Sequence, residues 1–583
     1  LRIQSPGLHL FLVILGLLST CQQKQSVPQT AFIQPNQDTL ITSGGVLLAA
    51  LNAEPETLNP LSALSEPARQ VIGLIFLRLA NINSDLTTFT PSLATKWDTL
   101  PDARALRFHL RTDVRWQDGV PVTARDVQFT FRLQSNPAYG WDGLPFKTNI
   151  TKVAAIDDST VIFFFKHPSR TMLMDAVEGE ILPEHVLREM TPDQLLAADF
   201  NQQPVGNGPF QLVEWKPQQT IILKRNPDYY DYPRPYLDRV IFKIIPDNAN
   251  LTRQLLSGEL DLAENLLPRD FERLSLRWRE GKGNLRPVSF LGRQYDFIAW
   301  NLVEPSSYRS LDHRRTDNII DKLRPHRLFG SRTVRAALTM ALDRQRIGEI
   351  VNGELFRPMN GPIPLILWAY NPNANHIWEY NPARARQLLS AEGWQDNDYD
   401  GILEKGQIKF QFEMLTNSGN IRRQHALTLI QDQLKAIGVA MRPRLVEPQV
   451  LIEKFIVPRE FDALLFGWNV GLKMELTSLF HSSTFFHPFH FTSYYSTTFD
   501  ILEDRARAAL DTRLAQQQWD KIAALLSEEL PYTWLYYKVD CAAIHKRFRN
   551  VIIDQRGVFV NVAEWWIPAA ERLPHDRLFL NQP

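Results

Sequence analysis

The apolar positions of this chain follow two rhythms that alternate without a fixed order. Residues 161–165 (VIFFF), 220–224 (TIILK), 240–245 (VIFKII) and 461–466 (FDALLF) are short β-branched and aromatic runs that predict strands. Between them the apolar spacing widens to the helical period. Asn381 and Pro382 open one helix as cap and first-turn proline, Leu388 and Leu389 form its inner face, and Gly393 closes it. Leu427, Ile430, Leu434 and Ile437 share the face of a second helix, ended by Gly438. Val334, Leu338, Ala341 and Leu342 mark a third. Thr123 is placed to cap a helix from Ala124, with Asp126 in its first turn. Irregular alternation over 583 residues is the pattern of a large α/β protein built from more than one compact unit.

One apolar stretch fits neither rhythm. Residues 8–18 (LHLFLVILGLL) are continuous, shorter than a bilayer span, preceded by Arg2, and no acid occurs before Asp38. This is the layout of a secretory signal, residues 1–20, and Leu18-Ser-Thr-Cys21 resembles a bacterial lipobox whose cysteine is acylated. An ordinary signal peptide with an incidental cysteine is the alternative. Residues 21–43 are rich in Gln, Thr and Pro and read as the lipidated Cys21 with a flexible tether. No later apolar run approaches 18 residues, so the expected location is the periplasm or cell envelope, held to the membrane by lipid.

Charge and cysteine content narrow the function classes. Lys and Arg together number 64, as do Asp and Glu, which removes the electrostatic motive for binding nucleic acid or anionic lipid. Two cysteines, Cys21 and Cys541, build neither a disulfide framework nor a thiolate zinc site. No nucleophile elbow, H-E-x-x-H, P-loop or dinucleotide fingerprint is present, and 206–209 (GNGP) lacks a donor at Pro209 and sits in a strand context. The chain therefore reads as a binding protein, with hydrolysis the remote alternative.

A series of motifs gives that reading a family. Residues 54–60 (EPETLNP), 108–119 (FHLRTDVRWQDG) with 121–127 (PVTARDV), 206–210 (GNGPF) with Trp215 and 225–229 (RNPDY), and 245–247 (IPD) with 257–261 (SGELD) follow one another in order. Then come 334–344, 360–364 (NGPIP), 391–394 (AEGW), 466–472 (FGWNVGL) and 479–483 (LFHSS). Together they resemble the extracellular solute-binding proteins of family 5, the peptide and nickel ABC importers, over nearly all of 44–540. Trp116, Asp118, Gly208 and Asn226 read as scaffold within these motifs. The resemblance implies a two-lobed periplasmic-binding-protein fold of type II with a ligand cleft between lobes. Lobe one would combine 44–64, 205–297 and 540–583, with 65–204 as an extra subdomain, and lobe two would span 298–539. Crossing strands are expected near 295–301 and 534–539. A monomer that delivers a peptide or similarly sized solute to permease subunits follows, with no catalytic residue, metal or cofactor. A binding or sensory lipoprotein for a neutral solute such as a saccharide, without a transporter, is the alternative.

In peptide-binding members an acid a few residues beyond the motif tryptophan pairs with the ligand's ammonium. Here Trp468 is followed by Asn469, Val470, Gly471 and Leu472, with no acid before Glu475. The expected ligand residues are Trp468 as an apolar wall, Asn469 as donor and acceptor, Gly471 at the missing acid, Asn301 on the crossing strand, and Glu54 from the opposite lobe. Two metal patterns are weaker. His481, His487 and His490 share an aromatic loop broken by Pro488. Residues 396–401 (DNDYDG) resemble the start of a calcium loop, but its twelfth position is the neutral Gln407, so they read as an acidic surface turn.

Overall fold

The computed structural model describes residues 41–311 and 319–576; the signal segment and Cys21 lie outside them. Ten strands carry the architecture: β1 (Val46–Leu51), β2 (Phe210–Lys216), β3 (Thr220–Arg225), β4 (Arg239–Ile244), β5 (Leu262–Glu264), β6 (Leu285–Trp300), β7 (Gln411–Asn417), β8 (Ala440–Val446), β9 (Ala463–Asn469) and β10 (Tyr532–His545). They form one sheet in the order β8-β7-β9-β6-β10-β5-β1-β4-β3-β2, with a short strand, Phe356–Pro358, also on β10. The chain is a two-lobed α/β protein, and among the described strands β6 and β10 serve both halves.

These two strands are 16 and 14 residues long, so at about 3.3 Å per residue each reaches some way into both lobes. Leu285 to Leu291 pair with His545 to Val539 beside β5, whereas Tyr295 to Ala299 pair with Tyr537 to Tyr532 beside β9. The register slips between Leu291 and Tyr295, a bulge that places Gly292, Arg293 and Gln294 at the passage between lobes. A Cβ on Gly292 would lie 2.4 Å from an Asp540 oxygen, so a larger residue here has to displace that carboxylate.

Side-chain alternation sends the apolar residues of the crossing strands into cores on both faces of the sheet. Beside β9, Tyr295, Phe297 and Ala299 enter one core, while Ile298 and Trp300 enter the core behind the sheet. Beside β5, Ala542 and Ile544 face one core and Val539, Cys541 and Ala543 the other. With apolar residues directed to both faces, these strands lack the regular alternation of a sheet that has one wet face. An additional four-stranded sheet, ordered Ala94–Thr99, Ala105–Leu110, Thr160–Phe165 and Ile150–Asp157, packs into lobe one's core with the segment after β10.

Local signals are realised with a few shifts. Thr123 and Asp126 form a capping box on Ala124–Gln134. Asn381 caps Pro382–Ala391, where Ala385 and Leu389 are buried and Leu388 is half-buried. The helix from Arg332 stops at Met340; Ala341 and Leu342 are buried in the core beyond its end, and the Asp343 carboxylate caps the next helix, Arg344–Asn352. The 461–466 strand begins at Ala463 and extends to Asn469, which brings Trp468 onto the sheet.

The scaffold residues interlock. Trp116 is buried, Asn226 donates to the Gly208 carbonyl at 2.8 Å, and Asn207 accepts from Leu77 N–H. Gly206 and Gly208 lie against the Ile75 carbonyl, where a Cβ would stand 2.2 and 2.7 Å away.

Candidate ligand cleft

Trp468, the expected apolar wall, belongs to a stack of rings fixed by strand register. Trp468 pairs with Tyr295 and Phe466 with Phe297, so Trp468 and Phe297 emerge on one face of neighbouring strands. Tyr532 lies opposite Ala299 on that face. Phe297 and Tyr532 stack at 4.0 Å, Trp468 stands 6.1 Å from Phe297 and 5.7 Å from Phe491, and all three pairs lie within 30° of parallel. The indole N–H of Trp468 donates to Tyr532 Oη at 3.3 Å. Trp468 itself is half-buried, so part of the stack faces solvent.

Gly467, inside the Phe466-Gly-Trp468 motif, has a reason the sequence hides. A Cβ there would meet Asp296 Oδ1 and the Arg423 guanidinium at 2.3 Å. Asp296 is 2% exposed and is neutralised by Arg423 at 3.0 Å and Arg422 at 3.3 Å. The glycine therefore makes room for a buried ion pair behind the wall.

Beyond Trp468 the chain leaves the sheet toward the other lobe. Asn469 is exposed, and Val470 N–H donates to the Arg293 carbonyl at 2.6 Å. Gly471 is exposed with no atom within 4 Å of a Cβ position, so this place holds open space rather than a carboxylate. Lys473 Nζ then reaches Asp175 Oδ1, 3.0 Å away in the extra subdomain. Asp175 is almost fully buried and also accepts from Thr171 Oγ1. Desolvation pushes its carboxyl above the usual range, and Lys473 pulls the other way. Lys147 fixes the same turn from below, donating to the Asp175 and Glu178 carbonyls; burial brings its ammonium down to about 8. A second contact crosses the cleft where the Arg170 guanidinium lies 4.1 Å over the Trp368 ring.

The remaining expected residues are placed differently. Glu54 accepts from Trp215 Nε1 and Gln218 N–H, both at 2.6 Å, so its two oxygens tie the β2–β3 hairpin within lobe one. Asn301 is fully buried, its amide donating to the Arg459 and Phe461 carbonyls, a position closed to any ligand. The three histidines do not converge. His490 is buried against the Tyr494 carbonyl and held neutral, its pKa down to about 3 chiefly by desolvation; His487 accepts from Phe489 N–H; and His481 faces Asp500 and Asp504. Sequence reasoning missed Asp175, Lys473 and Arg170, which carry no motif and acquire meaning only when the lobes face each other.

Comparison with known proteins agrees with this architecture. A family model described as bacterial extracellular solute-binding proteins, family 5 Middle, matches residues 88–484. The oligopeptide-binding protein AppA of Bacillus subtilis (strain 168) is 28% identical over 567 residues, covering 96% of this chain and 98% of that protein. The probable ABC transporter periplasmic-binding protein SapA of Escherichia coli (strain K12) is 25% identical over 580 residues, 94% of this chain and 95% of SapA. The AppA structure in complex with a nonapeptide superposes with a TM-score of 0.72 at 28% identity, covering 91% of this chain and all of that one. NikZ from Campylobacter jejuni in complex with Ni(L-His) shares the fold, with a TM-score of 0.70 at 24% identity over 89% of this chain and 99% of its own. Among the described residues no helix is long and apolar enough to cross a membrane.

Proposed function

Because the chain belongs to the bacterial extracellular solute-binding proteins of family 5, we propose that it captures a peptide or similarly sized solute between its lobes for an ABC permease. The observation that supports this reading is the half-buried ring stack at Trp468, followed along the chain by the exposed Asn469 and Gly471. An extended ligand lies against the rings, Asn469 supplies an amide donor and acceptor to its backbone, and Gly471 leaves room for its next group. The near full-length likeness to an oligopeptide-binding protein supports a peptide. Ammonium recognition is not built in at Gly471, and Glu54 has its oxygens on Trp215 and Gln218. Binding therefore rests on main-chain and apolar contacts.

Calorimetry with matched free and N-acetylated peptides tests this. Both forms bind within about threefold, a difference below 1 kcal/mol. Loss on acetylation that Glu54→Gln reproduces would reassign recognition to an acid of lobe one. The aromatic wall with a single amide also favours a second reading, a neutral saccharide; oligosaccharides that bind where every peptide fails would establish it. In either case the ligand leaves unaltered, and product analysis after long incubation shows no turnover.

Anchoring is the second part of the proposal. The mature protein begins at acylated Cys21 and works as a monomer at the membrane surface, tethered by the polar segment that follows. Mass spectrometry of the mature N-terminus checks it, and an unmodified peptide spanning Thr20 and Cys21 would exclude it.

A further inference from the structure

We propose that the loop from Asp396 to Glu404 is a calcium site, independent of the ligand cleft. Asp396, Asp398 and Asp400 occupy alternate positions before Gly401, whose φ of +85° makes the sharp turn such loops need. What the spacing did not reveal is a fourth carboxylate. Glu404, at the ninth position, folds back so that one oxygen from each of the four acids lies within 4.8 Å of all the others.

The hairpin explains this placement. Gln395 and Glu404 form a β-bridge, Glu404–Lys405 pairs with Ile408–Lys409, and Trp394 packs on Phe410 at 4.6 Å. The loop is thereby closed at its base on the core behind the sheet, opposite the aromatic wall. Glu404 is 8% exposed; Oε1 accepts from Asn397 N–H at 2.9 Å, whereas Oε2 is buried without a hydrogen-bond partner, as is Asp396 Oδ1. A carboxylate oxygen in that condition is costly unless a cation meets it.

Four carboxylates at this distance repel one another, and the cation that faces them is Lys409, on Asp398 at 2.9 Å and on Asp400. One ammonium leaves most of the charge uncompensated and reaches neither buried oxygen. An all-oxygen, strongly anionic, flexible loop selects a hard cation of high coordination number, which is calcium rather than the octahedral magnesium. Glu404 at the ninth position takes the place of the carboxylate that Gln407 lacks at the twelfth. Lys409 swings out as the ion enters.

The test is calorimetric titration of the chelator-treated full-length protein with calcium alone, alongside thermal unfolding. One saturable site with Kd of about 10⁻³ M or tighter is expected, with a melting temperature that rises with calcium. Asp398→Asn with Asp400→Asn, both exposed, keeps the fold and weakens binding at least about tenfold. Lys409→Gln tightens it severalfold. Glu404→Gln, which still accepts from Asn397, weakens it at least about tenfold. Absence of saturable binding at millimolar calcium overturns the site. So does an affinity unmoved by the double variant, or equal affinity for magnesium.

Discussion

Two buried ion clusters in this molecule have similar chemistry and opposite consequences. In lobe one Arg547, 1% exposed, chelates Asp261 at 2.8 and 3.0 Å, reaches Asp576 at 2.5 Å and donates to the Val46 carbonyl. Both carboxylates also accept from β1, Asp261 from Leu48 N–H and Asp576 from Val46 N–H. Every charge there is met from within one lobe. Between the lobes, Asp175 has Lys473 on one oxygen and Thr171 on the other, and the lysine comes from the far side of the cleft. Losing a partner in the first cluster strands charge in any folded conformation. In the second, the partners are rooted in different parts of the chain, so we propose that separation of the lobes returns both charges to water. A buried pair thus belongs to the scaffold or to the closed state according to where its partners are rooted.

The comparison breaks most sharply at Arg547. Arg547→Met leaves two carboxylates in the core of lobe one, and urea unfolding at neutral pH should show a loss of about 3–5 kcal/mol. A loss under about 1 kcal/mol would mean that water already reaches the cluster.

Glu503 is a buried carboxyl whose desolvation outweighs the pull of the nearby Arg507 guanidinium. It is fully buried in lobe two and accepts from Leu476 N–H, and desolvation raises its pKa to about 7. The folded state therefore holds this proton more tightly than the unfolded chain. Its contribution is greatest below the unfolded value of 4.5 and declines as pH climbs through about 7. The decline is on the order of 3 kcal/mol at full ionisation. Glu503→Gln should flatten that component of the stability profile between pH 5 and 8, read by chemical unfolding at each pH; an unchanged profile would refute the assignment.

Lys473→Met separates global from conformational stability. Opening relieves the stranded Asp175, so unfolding should shift by at most about 1 kcal/mol, while ligand affinity falls about tenfold, or 1.4 kcal/mol. Small-angle scattering should show less compaction on ligand addition. Adding Asp175→Asn should restore part of the closure. A loss of scaffold size in Lys473→Met would erase the distinction between the two clusters.

The smallest effect is expected at Gly471→Asp. With open space around the Cβ position and no positive φ, stability should change by no more than about 0.5 kcal/mol. The added carboxylate should introduce a preference for free over N-acetylated peptides in the calorimetric comparison. No preference would place the ammonium end away from this loop.

Local features were legible because they depend on residues a few positions apart. The Thr123–Asp126 capping box, the Asn381 cap and the β-rich runs followed from spacing and backbone preference, and the motif order gave the two-lobed α/β family. Contacts between distant segments decided the rest. Gly467 is glycine because Asp296 and Arg423 press against it from other elements, a steric fact with no trace in its neighbours. Glu54 and Asn301, both candidates by motif, have their polar atoms taken up inside their own lobes. Glu404 joins the three aspartates only because the Gln395 bridge folds it back. Asp175 and Lys473 are ordinary surface-type residues in the sequence, and desolvation where their two segments meet makes them a pair. Hydrogen bonds between near neighbours, caps and turns are fixed by a window of sequence, whereas burial and charge pairing exist only once distant chain segments exclude the water between them.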